Sequence, residues 1–151
     1  MTKDEPVALI WHRFADMPAP LLYEVLRFRQ AVFVVEQKSA YEDLDGCDPA
    51  AAHLLARSEE TLAGYLRLIA EADRVRIGRV CVAPEFRGHG LARRLMHAAL
   101  AVARRDHPGR PVAVSAQTYL ASFYAGLGFA AVSGEYDDAG VPHIDMVRPR
   151  P

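Results

Sequence analysis

Cysteine is scarce in this chain: Cys47 and Cys81 are its only two. Two thiols do not make a disulfide framework, so a reducing cytoplasm is the expected setting. Net charge is nearly absent too, at -1. That argues against a partner held mainly by global attraction to phosphate, and no nucleic-acid partner is expected. Long apolar runs are missing. The opening "MTKDEPVALIWH" has no apolar core of the signal-peptide kind, and no run reaches the length of a membrane span, so no membrane partner is expected. Internal repeats, low-complexity tracts and linkers are absent as well. What remains is ordinary: 151 residues, 51% hydrophobic and 25% charged. This is enough chain for one domain, residues 1–151, with a real buried core.

The pattern along the chain alternates between two periods. "VALIWHRF" (7–14) reads as a first strand. Leu21, Leu22, Val25, Leu26, Arg29, Val32 and Phe33 make a helical stripe that is expected to break near Val34. "KSAYEDLDGCDPA" is an acidic loop. "AHLLARS" and "TLAGYLRLIA" read as two strands joined at Glu59-Glu60, and "RVRIGRVCV" as a third after the turn at Ala72-Asp73. A helix follows to about Asp106, then the strand "PVAVSA" and the short helix "YLASFYAGL", stopped by Gly128. "FAAVSGEY" and "PHIDMVR" would be two last strands about the turn 137–140. The order β-α-β-β-β-α-β-α-β-β implies an α/β protein built on one mixed sheet.

The junction "RVCVAPEFRGHGLARRLMHAAL" carries the chemistry. A strand turns sharply into a helix through Arg87-Gly88-His89-Gly90-Leu91-Ala92. A helix N-terminus presents unpaired amides and about half a positive charge, which suits phosphate oxygens. Gly88 and Gly90 remove Cβ atoms where a ligand would approach, and Arg87, Arg93 and Arg94 add positive charge. The spacing fits neither a P-loop nor G-x-G-x-x-G. Taken alone, the loop reads equally well as a tight helix start.

A second stretch, "AQTYLASFYAGLGFAAV", places Tyr124 on the short helix. With it, the chain resembles the GNAT N-acetyltransferase superfamily. "RGHGLA" matches that superfamily's R/Q-x-x-G-x-G/A signature through Arg87, Gly90 and Ala92, and "FYAGLGF" matches its later tyrosine motif. "LRFRQAVFVVEQ", "YEDLDGCD", His53, "IGRVCV" and "GVPHIDM" are similar to the ElaA-type subgroup. The resemblance implies the GNAT fold: a central, mostly antiparallel sheet of about seven strands, helices on both faces, splayed between strands 4 and 5. It implies acetyl-CoA as co-substrate, with its pyrophosphate on the amides of Gly88, His89, Gly90, Leu91 and Ala92, and with Arg87 and Arg93 also among the residues that bind it. The pantetheine arm would lie along Val80, Cys81 and Val82, beside Gln117 and Phe123. Gln117 stands where many relatives carry Asn, and it can still bond a pantetheine amide.

The implied reaction is direct transfer of acetyl from a thioester to an amine. A thiolate departs, and a phenol at the place of Tyr124 can hydrogen-bond or protonate it. The acceptor amine must lose a proton. Many relatives place a glutamate on the strand before the loop, whereas "RVRIGRVCV" has no carboxylate. Glu36 and His143 are the favoured bases, with His53 a further imidazole at a strand end, and Glu36 could instead pair with an arginine such as Arg29. "DLDGCD" resembles a truncated calcium loop with a misplaced Gly, so no metal is expected. Cys81 reads as a small buried apolar residue, and the Arg-rich helix face as solvated. The alternative to an enzyme is a non-catalytic acyl-CoA sensor, motivated by the absent strand carboxylate. The acidic loop hints at a cationic acceptor. The partners implied are acetyl-CoA and an amine-bearing small molecule or peptide, and a homodimer is compatible with all of this.

Overall fold

The computed structural model describes residues 6–149. Its strands are β1 (Ala8–Arg13), β2 (Ala52–Ser58), β3 (Thr61–Ala70), β4 (Val75–Val82), β5 (Val112–Gln117), β6 (Ala130–Ala131), β7 (Tyr136–Asp138) and β8 (Val141–Arg148). The helices are α1 (Ala19–Arg29), α2 (Leu91–Asp106) and α3 (Ala121–Ala125). The strands form one sheet in the order β1-β2-β3-β4-β5-β8-β6, with β7 also paired to β8. Every pairing is antiparallel except β4 with β5. The α/β class and the single mixed sheet of about seven strands are as expected, with eight strands among the described residues.

Both faces of the sheet are covered, which is why β2 and β3 read as nearly continuous apolar runs. Along β2, Leu54 and Ala56 join the core that α2 and α3 close, while Leu55 joins a second core under α1. That alternation is the two-residue period of a strand. Helix α2 buries Leu91, Leu95, Met96, Ala99 and Ala103, and α1 buries Val25 and Arg29. Pro20 falls in the first turn of α1, where a missing N–H costs nothing.

Three local expectations change. The first helix does not break near Val34. It continues as a π-helix from Gln30 to Glu36, with the Gln37 amide donating to Val32 O, five residues back, at 3.3 Å. These wider turns carry Phe33, Glu36 and Gln37 over the sheet. The expected strand "FAAVSGEY" pairs at Ala130–Ala131 and then again only at its last residue, Tyr136, which opens β7. Past a last backbone bond, from the Val132 amide to Asp145 O at 2.8 Å, a side chain replaces the ladder: the Asp145 amide donates to Ser133 Oγ at 2.9 Å, and pairing resumes only at β7. The acidic loop folds inward onto arginines, as described below.

The splay is present. β4 and β5 pair only at Val75–Val112 and Arg76–Ala113, then separate. β4 also bulges against β3: Tyr65 faces Cys81 and Arg67 faces Gly78, so Arg79 and Val80 share the single opposing residue Leu66. Arg79 there adopts a φ of 54°, the left-handed region that β-bulges tolerate at a cost.

Candidate active site

Where β4 and β5 part, a cavity of ≈ 460 Å³ opens. One wall is the free edge of β4, with Val80, Cys81 and Val82. The opposite wall is β5 and β8, with Ser115, Gln117 and His143. The π-helix and its C-cap supply Glu36 and Gln37, and α3 supplies Phe123 and Tyr124. Arg87 and Ala92 border it from the glycine loop and the first turn of α2. The sequence-predicted residues at this cavity are therefore Glu36, Val80, Cys81, Val82, Arg87, Ala92, Gln117, Phe123, Tyr124 and His143. Gly88, His89, Gly90, Leu91 and Arg93 lie beyond it, at the start of α2, with the Leu91 side chain buried in the core.

That helix start fits a phosphate. Gly90 is the N-cap, at φ 79°, and no side chain caps the helix. The amides of Leu91, Ala92 and Arg93 therefore lack intrahelical acceptors. A Cβ added at Gly88 or Gly90 would meet nothing within 4 Å, so the space above the loop is open. The unpaired edge of β4 next to it offers backbone groups to an amide-bearing arm. Acetyl-CoA, when bound here, supplies the activated acyl group, and the loop amides and the β4 edge would hold it.

Tyr124 is 6% exposed. Its ring packs edge-on against Phe123 and Phe129, with centroids at 5.1 and 5.8 Å. Burial pushes the phenol up to about 12. It stays protonated at any working pH and can donate a hydrogen bond or a proton into the cavity.

Glu36 is held by Arg87, not by Arg29. The two Arg87 terminal nitrogens donate to its carboxylate at 2.7 and 2.8 Å, and Arg87 Nε donates to Val82 O at 2.9 Å. The hydrogen bonds from Arg87 keep the Glu36 carboxyl below the usual carboxylate range. His143 differs. Its Nδ1 lies 2.7 Å from Val141 O. A carbonyl only accepts, so Nδ1 carries a proton, and in the neutral ring Nε2 keeps a lone pair. The ring stacks on Tyr136 at 6.1 Å. His53 is buried and engaged at both nitrogens, by Tyr65 Oη at 2.6 Å and Asp48 O at 2.9 Å, and burial lowers its pKa. Burial likewise pushes the Cys81 thiol up, away from the thiolate that a nucleophile needs.

The acidic loop is not an open anionic surface. Asp43 and Asp48 pair with the fully buried Arg29 at 3.0 and 2.8 Å. Asp45 and Asp48 pair with Arg67, and Asp43 and Asp45 with Arg79. The hydrogen bond from Arg67 drives the Asp45 carboxyl far below its usual range. No group of side chains suited to hold a metal ion occurs among the described residues. Nor does any described helix have the length and apolarity to cross a membrane. Sequence reasoning missed Ser115, Tyr136 and Asp145, which form a hydrogen-bonded chain beside His143. The only signal was strand parity: Ser115 is two residues before Gln117, and Asp145 two after His143.

Comparison with known proteins agrees with this geometry. Residues 23–149 match the acetyltransferase (GNAT) domain family. Protein ElaA of Escherichia coli is 36% identical over 139 residues, which span 89% of this chain and 91% of ElaA. The ElaA crystal structure matches with a TM-score of 0.89 at 34% identity, over 93% of this chain and 99% of that one. An acyl-CoA N-acyltransferase from Pseudomonas aeruginosa matches with a TM-score of 0.90 at 38% identity, over 95% and 99%. A GNAT family acetyltransferase from Elizabethkingia anophelis, solved with acetyl-CoA bound, shares the fold at a TM-score of 0.66 and 17% identity, over 96% of each chain. This chain belongs to the GNAT family, in its ElaA-like subgroup, and is an acyltransferase.

Proposed function

We propose that the protein transfers an acetyl group from acetyl-CoA directly to a primary amine. The observation that carries this is the cavity at the splay, where a buried protonated phenol and an imidazole with a free lone pair share one space. Tyr124 donates to the departing thiolate. His143 Nε2 takes the proton from the amine, because the Val141 carbonyl fixes the proton on Nδ1. The hydrogen bonds from Arg87 hold the Glu36 carboxyl below its usual range, which makes it a poor base. The raised thiol of Cys81 favours direct transfer over an acyl-cysteine intermediate. Membership in an acyltransferase family, with Tyr124 at the cavity, favours an enzyme over a sensor without turnover. The match over residues 23–149 supports reading the chain as one acyltransferase unit, and its two free thiols suit the cytoplasm.

The proton step is tested by the pH dependence of kcat/KM for wild type, His143→Asn and Glu36→Gln. A protein base gives a rate that rises with pH and levels off once the base is deprotonated. His143→Asn removes the limb and Glu36→Gln keeps it. If Glu36→Gln alone removes it, the base is Glu36. Three superimposable profiles would leave a water chain as the better account.

A further inference from the structure

The β5–β8 wall of the cavity presents acceptors at two of its polar side chains, Ser115 and His143. Ser115 pairs with Asp145 and Gln117 with His143, and β7 sets Tyr136 opposite His143. The strand period puts these side chains on one face. Tyr136 Oη donates to Asp145 Oδ1 at 2.6 Å, since a carboxylate only accepts. The same oxygen lies 2.5 Å from Ser115 Oγ. With its own proton committed to Asp145, Tyr136 accepts at that contact and Ser115 donates. Ser115 therefore has only lone pairs left for the cavity it lines. His143 repeats the polarity, with Nδ1–H turned to Val141 O and Nε2 open. Gln117, between them on the wall, turns an amide N–H to Gln37 Oε1 at 3.1 Å, and the two acceptors Ser115 Oγ and His143 Nε2 suit an N–H-rich group.

Charge points the same way. Arg79 and Arg87 are the cations lining the cavity. Arg79 is taken by Asp43 and Asp45, and Arg87 by Glu36. No unpaired cation among the lining residues awaits a carboxylate, and Asp138 adds a negative charge on this side.

We propose that Ser115 and His143 form the acceptor subsite, and that it selects a primary amine with no carboxylate on the neighbouring carbon. Ser115 binds the amine, while Tyr136 and Asp145 act as positioning residues that fix the direction of the Ser115 hydroxyl. Free α-amino acids are disfavoured because their carboxylate would enter next to carboxylates without a cation to meet it. The inference rests on the cavity being the site of acyl transfer.

The test is calorimetric titration of the CoA-saturated protein with pentylamine and with norleucine, which differ by the α-carboxylate alone. Pentylamine binds at least tenfold more tightly. Ser115→Ala, an exposed position, weakens pentylamine about threefold to tenfold, the worth of one hydrogen bond, with CoA affinity unchanged. Tyr136→Phe weakens it similarly, because it frees the serine hydroxyl to rotate. Equal binding of the two probes, binding of neither, or unchanged pentylamine affinity in Ser115→Ala overturns the proposal. Failure of the wild type to bind CoA would overturn the transfer reading instead, so the two failures are distinct.

Discussion

Gly90 caps α2 at φ 79° with open space where a side chain would stand. Both facts constrain it. A β-branched residue is strained there by about 1–3 kcal/mol, and its methyls would fill the room needed by phosphate. Gly90→Val is expected to weaken acetyl-CoA binding by at least tenfold in calorimetry. Its melting temperature should fall by only about 2–10 °C for a chain of this size. Unchanged affinity would refute the loop as the phosphate site. Glu36 illustrates a different residue-scale point. A carboxylate in the cleft reads as a base from sequence, yet the guanidinium that takes it lies 51 residues away, on the glycine loop. Nothing in either segment announces the pair.

The loop from Tyr41 to Asp48 shows the same limit at the scale of an element. Its carboxylates look solvent-facing in sequence because loops usually are. In the fold, Arg29 of α1, Arg67 of β3 and Arg79 of the β4 bulge draw them inward. The bulge gains a purpose from this. Arg79, in its left-handed conformation, is held from outside by Asp43 and by the face of Tyr41, with its guanidinium 5.4 Å from the ring centroid. That helps to hold the β4 edge in its bulged form. Arg29→Leu removes the central cation and leaves buried carboxylates short of a partner. Denaturant titration should show a loss of about 3–5 kcal/mol. A loss under about 1 kcal/mol would mean that the network contributes nothing net. Elements with a strong period were legible in the sequence: β2, β3 and α2 fall within a residue or so of their expected bounds. The π-helix was not, because its sequence is helical and only the hydrogen-bond step changes. The shortened β6 was not, because Ser133 substitutes for backbone in a pairing that no periodicity encodes.

For the whole molecule, the decisive feature is the parting of β4 and β5 after two residue pairs. In the proposed reaction it would give one strand edge to the acyl donor and the facing strands to the acceptor, with Tyr124 lining the same cavity. The two motifs carried that much in sequence: the glycine loop and the tyrosine helix each mark one side of the splay. The polar wall of Ser115, Tyr136 and Asp145 stayed hidden because its members are brought together only by strand register. The proposed transfer rests above all on Tyr124 donating to the departing thiolate. Tyr124→Phe deletes the hydroxyl and keeps the edge-on packing with Phe123 and Phe129. The direct measurement is release of free CoA thiol from acetyl-CoA in the presence of a primary amine, by wild type and Tyr124→Phe, with acetyl-CoA affinity determined alongside. The predicted result is unchanged affinity and turnover reduced by about 10²–10⁴-fold. Turnover within about threefold of wild type, with chemistry rate-limiting, would contradict it.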